Sequence, residues 1–495
     1  MSSPAYTQAL SVTGGRIRGI MTEDGAVSVY LGIPYGAAPV GALRFREPKP
    51  PVAWSDVLTC DHFGMAPVQQ PQMPFLFWTR EFIIRDTGYG EDCMTANVWT
   101  SNDGCSAKPV LVYFHGGGFN TGGSSCEIYD GEQMARRGTV FVSFNHRVGV
   151  PSLYTSPELD AEMPSGTSGN CMLLDAIQLL KWIRDNIRTF GGDPANVTLM
   201  GQSSGAGEIN ALTVSSLARG LFRRVIAMSM NSLKPKDHAE EWRTHMDEQT
   251  MWQEVYPEKT LADMRQLMTE DMIIRFPRPA RPCIDGAVLD MNYREGLVQG
   301  RTASMDVMLG AVAGDTRIVN TCYGVFVGNS VEMTHEQMTE KLRTFFGVHF
   351  DEAAALYPLL EKPVPEVLRE IDTDLLLGGM LAVARLRKEH GGGQTYVYYY
   401  DHLMPGSEQF GVFHSCEVPY MLNNLTHDRG NLWKPEDRKF SDRLADMVAS
   451  FAATGCPGQG WSATAEANYE YLSAEDCAQR WMSPEKYAFW MKVFN

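Results

Sequence analysis

Val197-Thr198-Leu199-Met200-Gly201-Gln202-Ser203-Ser204-Gly205-Ala206-Gly207 reads as a short apolar strand, then Gly-x-Ser-x-Gly, then the opening turn of a helix. Glycine and serine populate loops of every kind, so the five-residue pattern carries little by itself. Its setting between strand and helix gives it meaning. A turn that sharp forces its central residue into strained backbone and lifts the side chain over the end of the sheet. Glycine at 201 and 205 lets strand and helix pass without a Cβ clash. The stretch therefore predicts Ser203 as a nucleophile at a helix N-terminus, where backbone N–H groups meet developing negative charge.

The neighbouring segments supply a sheet for that elbow. Pro109-Val-Leu-Val-Tyr-Phe114 and Thr139-Val-Phe-Val-Ser-Phe144 are nearly unbroken apolar runs, as in parallel strands covered on both faces. Leu173, Ala176, Ile177, Leu180, Ile183 and Ile187 recur at helical spacing and stop before Gly191-Gly-Asp-Pro194, which feeds the elbow strand. Further strands are expected at 224–229, 305–312 and 395–400, and a long helix at about 437–454. Residues 10–32 alternate with glycine breaks and read as a small antiparallel meander. Strand and helix in alternation predict an α/β fold: a mostly parallel, doubly wound sheet with ligand sites beyond the strand C-terminal ends. Met- and charge-rich stretches at about 236–300 and 330–390 read as helical, cap-like insertions over that edge. No Ser/Pro/Gly-rich linker separates them, so residues 1–495 are expected to form one domain.

Composition narrows the partners. Hydrophobic residues make up 44% of the chain, enough for a large core. A net charge of −16 argues against nucleic acid. No apolar run approaches the roughly 18 residues of a membrane span, and no secretory signal is visible at the N-terminus. The ten cysteines are scattered, without CxxC or metal-finger spacing. That predicts free thiols, a reducing, cytoplasmic setting and no metal site. Sequons at Asn196 and Asn424 arise easily by chance and carry little weight.

Three further segments can serve Ser203. His115-Gly116-Gly117-Gly118-Phe119 follows the first parallel strand, and its glycines expose backbone N–H groups suited to an oxyanion hole. Asp315 ends the apolar run Met308-Leu-Gly-Ala-Val-Ala-Gly314, and His414 lies in the loop Gly411-Val-Phe-His-Ser-Cys-Glu417. A carboxylate at such a strand end can fix the imidazole tautomer and stabilise the imidazolium. Each alone reads as an ordinary turn aspartate or satisfied histidine. Together the order Ser203, Asp315, His414 is the one this elbow requires. The aromatic segment 73–86 reads either as packing on the core or as one wall of an apolar pocket. On the second reading Phe75, Phe77 and Trp78 join Phe119, Gln202 and Met230 as substrate contacts.

Taken together, these segments resemble the type-B carboxylesterase/cholinesterase family of α/β hydrolases over nearly the whole chain. Leu31-Gly-Ile-Pro-Tyr-Gly36, Pro39-Val-Gly-Ala-Leu-Arg-Phe45 and Glu91-Asp-Cys-Met-Thr-Ala-Asn-Val-Trp99 are similar to its N-terminal motifs. Asn145-His-Arg-Val-Gly149, Ser168-Gly-Asn170 with Leu173-Leu-Asp175, and Phe190-Gly-Gly-Asp-Pro-Ala-Asn-Val197 match as well. The resemblance implies Ser203 as nucleophile, Asp315 as acid and His414 as base, with Gly117, Gly118 and the Ser204 N–H forming the oxyanion hole. It implies Arg44–Glu91 and Arg147–Asp175 as structural ion pairs, and Ser229 as a serine supporting the acid.

Departures from the family pattern bear on substrate choice. The elbow carries Gln202-Ser203-Ser204 where Glu-Ser-Ala is usual, so a negative charge beside the nucleophile is gone and preference for cationic substrates should weaken. The acid is Asp where Glu is commoner. Pro67 stands where secreted members carry the first cysteine of a disulfide, leaving Cys93 unpaired. Lys234, Lys236 and His238 follow Met230 where acyl-pocket residues are expected. They read either as solvated side chains, the simpler reading, or as contacts to an anionic or phenolic acyl group. Glu208, inside the elbow helix, is unusual and unexplained by sequence.

The reaction implied is hydrolysis of carboxylic esters through an acyl-enzyme, with no metal or organic cofactor. The expected partner is a small-molecule ester, with no nucleic acid or membrane, and the chain is a monomer or homodimer. An aryl or hydroxycinnamoyl esterase is the runner-up. A catalytically silent recognition protein of the same fold is the rival from another class, and the intact constellation argues against it.

Overall fold

The computed structural model describes residues 5–75, 78–230, 233–236, 238, 242–273, 281–315, 333–425 and 432–495. Eleven strands build one central sheet. In chain order they are β1 (Ile20–Met21), β2 (Val27–Pro34), β3 (Thr95–Ser101), β4 (Lys108–Phe114), β5 (Val140–Phe144), β6 (Gly192–Gln202), β7 (Arg224–Met228), β8 (Asp306–Val312), β9 (Thr395–Tyr400), β10 (Asn468–Leu472) and β11 (Cys477–Trp481). Their spatial order is β11-β10-β9-β8-β7-β6-β4-β5-β3-β2-β1. Pairing is parallel from β5 through β10 and antiparallel at both ends. The chain order reverses between β4 and β6, so the ends of these two strands diverge into a crevice. That switch point is where a doubly wound sheet binds ligands.

The alternation of side chains along each strand explains the unbroken apolar runs. Val110, Val112 and Phe114 enter one buried cluster, while Leu111 and Tyr113 enter another on the opposite face. Helices α1 (Cys171–Asn186), α2 (Ser204–Val214), α3 (Val364–Glu389) and α5 (Pro484–Phe494) cover the first face, and α4 (Pro435–Thr454) the second. Part of the stretch expected as a cap is therefore a sheet-covering helix: Leu377, Leu381 and Val383 of α3 are buried in the core. None of the described helices is long and apolar enough to cross a membrane.

The N-terminal meander is antiparallel and divides between two sheets at Gly19. Leu10–Val12 pairs with Gly15–Arg18 in a small sheet closed by Val57–Thr59, and β1 pairs with β2 at the edge of the main one. Two ion pairs tie the front of the molecule together. Arg44 forms a fork with Glu91 and donates to the carbonyls of Arg265 and Leu267, clasping the helix Leu261–Gln266. Arg147 and Asp175 meet at 2.6 Å in full burial.

Candidate active site

The β6–α2 turn has the strained geometry that the sequence predicts. Ser203 sits at φ 57° and ψ −130°, a sparsely populated region that costs a residue with a Cβ about 1–3 kcal/mol. Its N–H donates to Met228 O at 2.9 Å, which locks the turn onto β7. The close approach behind it is real: a Cβ at Gly205 would stand 2.3 Å from Phe114 O and 2.7 Å from His115 O. Helix α2 thus runs directly against the end of β4 and the glycine loop.

Two loops from the far half of the chain meet this elbow. His414 Nδ1 lies 2.6 Å from Asp315 Oδ1. The carboxylate is itself fixed, with the Val312 N–H donating to Asp315 Oδ2 at 2.9 Å. Burial pulls the imidazole down, but the hydrogen bond to Asp315 and the charge it carries outweigh burial, and the net shift is upward. With Nδ1 bearing the proton toward Asp315, Nε2 presents a lone pair. Gln202 Nε2 stands 3.1 Å from it, while Gln202 Oε1 accepts from Ser415 Oγ at 3.0 Å. A neutral amide can present either end to an imidazole, which a carboxylate cannot.

Opposite the histidine, the glycine loop folds back on itself. Gly117 adopts φ 130° and Gly118 φ 63°, while Asn120 N–H, Thr121 N–H and Thr121 Oγ1 all donate to Gly117 O. Carbonyls are consumed inside the loop. Among the described residues, the N–H groups of Gly117, Gly118 and Ser204 find no acceptor within the chain, as an anion-binding nest requires.

Ser203, His414 and Asp315 line one cavity of about 240 Å³. Gln202 contacts the His414 that lines it, and Met230 lines it too. Phe119 does not: its ring is buried over Gly207 of α2. Phe75 and Trp78 do not line it either. They pair through their backbones in a local turn that leaves Phe75 52% exposed. Phe77 lies outside the described residues. The 73–86 segment instead buttresses the histidine loop, through Phe82 edge-on to Phe413 at 6.0 Å. Phe82 and Trp78 of this segment pack on the core, a role that sequence cannot separate from a pocket wall.

Residues 6–490 match the sequence profile of the carboxylesterase family. The chain belongs to that family. It is 29% identical over 461 residues to the fumonisin B1 esterase of Sphingopyxis macrogoltabida, a match spanning 90% of this chain and 82% of that protein. To the cholinesterase of Mus musculus it is 28% identical over 500 residues, spanning 93% and 82%. Its fold superposes on a Geobacillus stearothermophilus carboxylesterase with a TM-score of 0.80 at 25% identity, covering 98% of this chain and 100% of that one. A PNB esterase matches with a TM-score of 0.79 at 24% identity over 99% of each chain. The protein is a serine-type carboxylic ester hydrolase acting on small-molecule esters.

Within the esterase, two buried carboxyls stand near this constellation. Ser229 Oγ donates to Glu417 Oε1 at 2.9 Å, so its hydroxyl proton serves a second carboxyl rather than the acid itself. Burial and the negative charge of Asp315 push Glu417 up to about 7. Sequence reasoning passed over Glu417, although its place three residues after His414, on the same turn, was a usable signal. Glu208, which sequence left without a role, faces a histidine. Its Oε2 lies 3.4 Å from His146 Nε2, and His146 stacks on His115 at 4.6 Å with 7° between the rings. Burial holds Glu208 well above the usual carboxylate range, and pulls His146 down to about 4 and His115 to about 3. The three side chains form a neutral stack directly under the glycine loop.

Among the residues after Met230, Lys236 is exposed and His238 Nε2 lies 3.0 Å from Phe345 O, but Lys234 lines the Ser203 cavity. The nine cysteines described are free, Cys93 among them.

Proposed function

We propose that Ser203 is the nucleophile of the ester hydrolysis, His414 its base and Asp315 the carboxylate that orients the base. The observation that carries this reading is the 2.6 Å contact between His414 Nδ1 and Asp315 Oδ1, made in the cavity that also holds the strained Ser203. At rest the Gln202 amide faces the Nε2 lone pair. When an ester enters, the Ser203 hydroxyl takes over that lone pair, gives up its proton and attacks the carbonyl carbon. The tetrahedral oxyanion forms against the N–H groups of Gly117, Gly118 and Ser204, which spend no hydrogen bond on an acceptor among the described residues. His414 returns the proton to the departing alcohol, and Asp315 stabilises the transient imidazolium. Water then repeats the sequence on the acyl-enzyme.

Ser203→Ala should lower kcat on a p-nitrophenyl ester by at least about three orders of magnitude, as triads behave. An organophosphonate probe should label wild type on Ser203 and leave the variant unlabelled. Wild-type turnover by the variant would refute the assignment. The aryl or hydroxycinnamoyl alternative rests on the 73–86 segment and the polar residues after Ser229; Lys234 lines the cavity while Phe75 and Trp78 do not, and the alternative gains no support over the broader esterase reading. We place the protein in a reducing, cytoplasmic setting on the strength of its free buried thiols, such as Cys60, Cys93 and Cys171.

A further inference from the structure

A cation lines the Ser203 cavity. Beside Ser203 and His414 it is lined by Lys234, Asn210 and Tyr293, with Asp315 the carboxylate on its wall, and that carboxylate is engaged by His414. Its wall thus carries an ammonium, an amide that donates to Met230 O, and a phenol. Burial pushes Tyr293 up to about 12, so its hydroxyl stays a donor. The Lys234 segment is pinned. Its carbonyl accepts from Arg294, whose other arm holds Phe494 O, and the Lys236 N–H donates to Val493 O at 3.0 Å. Next to the nucleophile stands Gln202, neutral where a carboxylate would repel an anion.

In a protein of net charge −16, the overall field disfavours anions, so an anionic substrate needs a local cation. Resting on the ester-hydrolase reading above, we propose that the preferred substrates are esters bearing a carboxylate, which Lys234 recognises inside the cavity. An ammonium has three N–H donors and can meet a substrate carboxylate alongside its contacts within the protein. In a partly desolvated pocket such a charge-assisted contact discriminates strongly against the neutral isostere.

The test compares matched pairs. For the acid half, kcat/KM is measured on the p-nitrophenyl monoester of glutaric acid and on p-nitrophenyl hexanoate. For the alcohol half, 4-acetoxybenzoate is compared with p-tolyl acetate. The anionic-to-neutral ratio in one of the pairs should fall at least tenfold in Lys234→Met and be largely restored in Lys234→Arg. The pair that responds tells which half of the ester carries the charge. Wild type needs no variant for a second reading: glutarate should inhibit competitively with a Ki at least tenfold below that of 1,5-pentanediol. Equal inhibition by the two, or ratios unmoved in both pairs while neutral esters still turn over, would overturn the proposal. Failure of wild type to hydrolyse the neutral esters through Ser203 would instead strike the underlying reading.

Discussion

Gln202 Nε2 reaches to 3.1 Å from His414 Nε2, placing a neutral amide against the imidazole. The consequence is electrostatic. A carboxylate at that distance would stabilise the imidazolium and raise its pKa, typically by about 1 unit or more. Gln202→Glu should therefore move the acid limb of the kcat/KM profile upward by about 1 pH unit on a neutral ester. A profile that stays in place would mean that residue 202 does not face the imidazole during turnover.

Gly205 tests the packing behind the elbow. A Cβ there meets the backbone oxygens of Phe114 and His115, which have no freedom to retreat, whereas a Cβ at Gly118 meets nothing within 4 Å. Gly205→Ala should displace the glycine loop and reduce kcat by about 100-fold or more, since oxyanion donors act only when correctly placed. Gly118→Ala carries only the strain of its φ of 63°, about 1–2 kcal/mol, and should stay within about tenfold of wild type. Steady-state kinetics of the two variants decide the ordering.

These two variants also mark what sequence could and could not deliver. Gly201 to Gly205 announced the elbow because only small residues permit that approach, and the runs at 109–114 and 139–144 announced a sheet covered on both faces. Those are local rules. The partner of Ser229, the role of 73–86 and the surroundings of Glu208 are set by residues more than 60 positions away in sequence. Apolar and polar side chains look the same there whether they line a cavity, brace a loop or satisfy one another. Lys234 shows the same limit, since a solvated lysine and a pocket lysine share one letter.

Glu417 gives a pH signature in stability. Its folded value of about 7 exceeds the ordinary 4.5 because of burial and the nearby charge of Asp315. Between those values the folded protein holds a proton that the unfolded chain has released. The stability contributed is thus complete below about 4.5 and is lost as pH rises to about 7, by up to roughly 1.4 kcal/mol per unit. Glu417→Gln removes that slope, so its melting temperature should gain on wild type across this window. A constant difference would mean that Glu417 titrates normally in the fold.

Arg147 and Asp175 are buried to the point that neither charge can turn to water. Asp175→Asn leaves the guanidinium uncompensated and should cost about 3–5 kcal/mol. Arg147→Met with Asp175→Leu removes both charges and should recover much of that loss. Chemical denaturation of the single and double variants measures the difference.

Glu208 and His146 make the last case, because full burial there favours neutral partners. His146 Nδ1 lies 2.9 Å from Arg147 O, so that nitrogen carries the proton and Nε2 offers a lone pair to Glu208. The two buried atoms, Nε2 and Glu208 Oε2, face each other at 3.4 Å without a hydrogen bond, and burial holds the carboxyl well above the usual range, which favours its protonated form. An amide donates at every pH. Glu208→Gln should therefore keep the stack and most of the activity, whereas Glu208→Ala empties the space and strands the imidazole, at about 2–4 kcal/mol. The sign with pH follows from the raised carboxyl. Wild type is best placed below about 4.5 and loses ground as pH rises toward its folded value, so the advantage of the Gln variant should be larger at pH 8 than at pH 5. If thermal melts instead show the Gln variant losing ground at pH 8, Glu208 is ionised in the fold and pairs with a charged His146, and the neutral stack beneath the glycine loop is wrong.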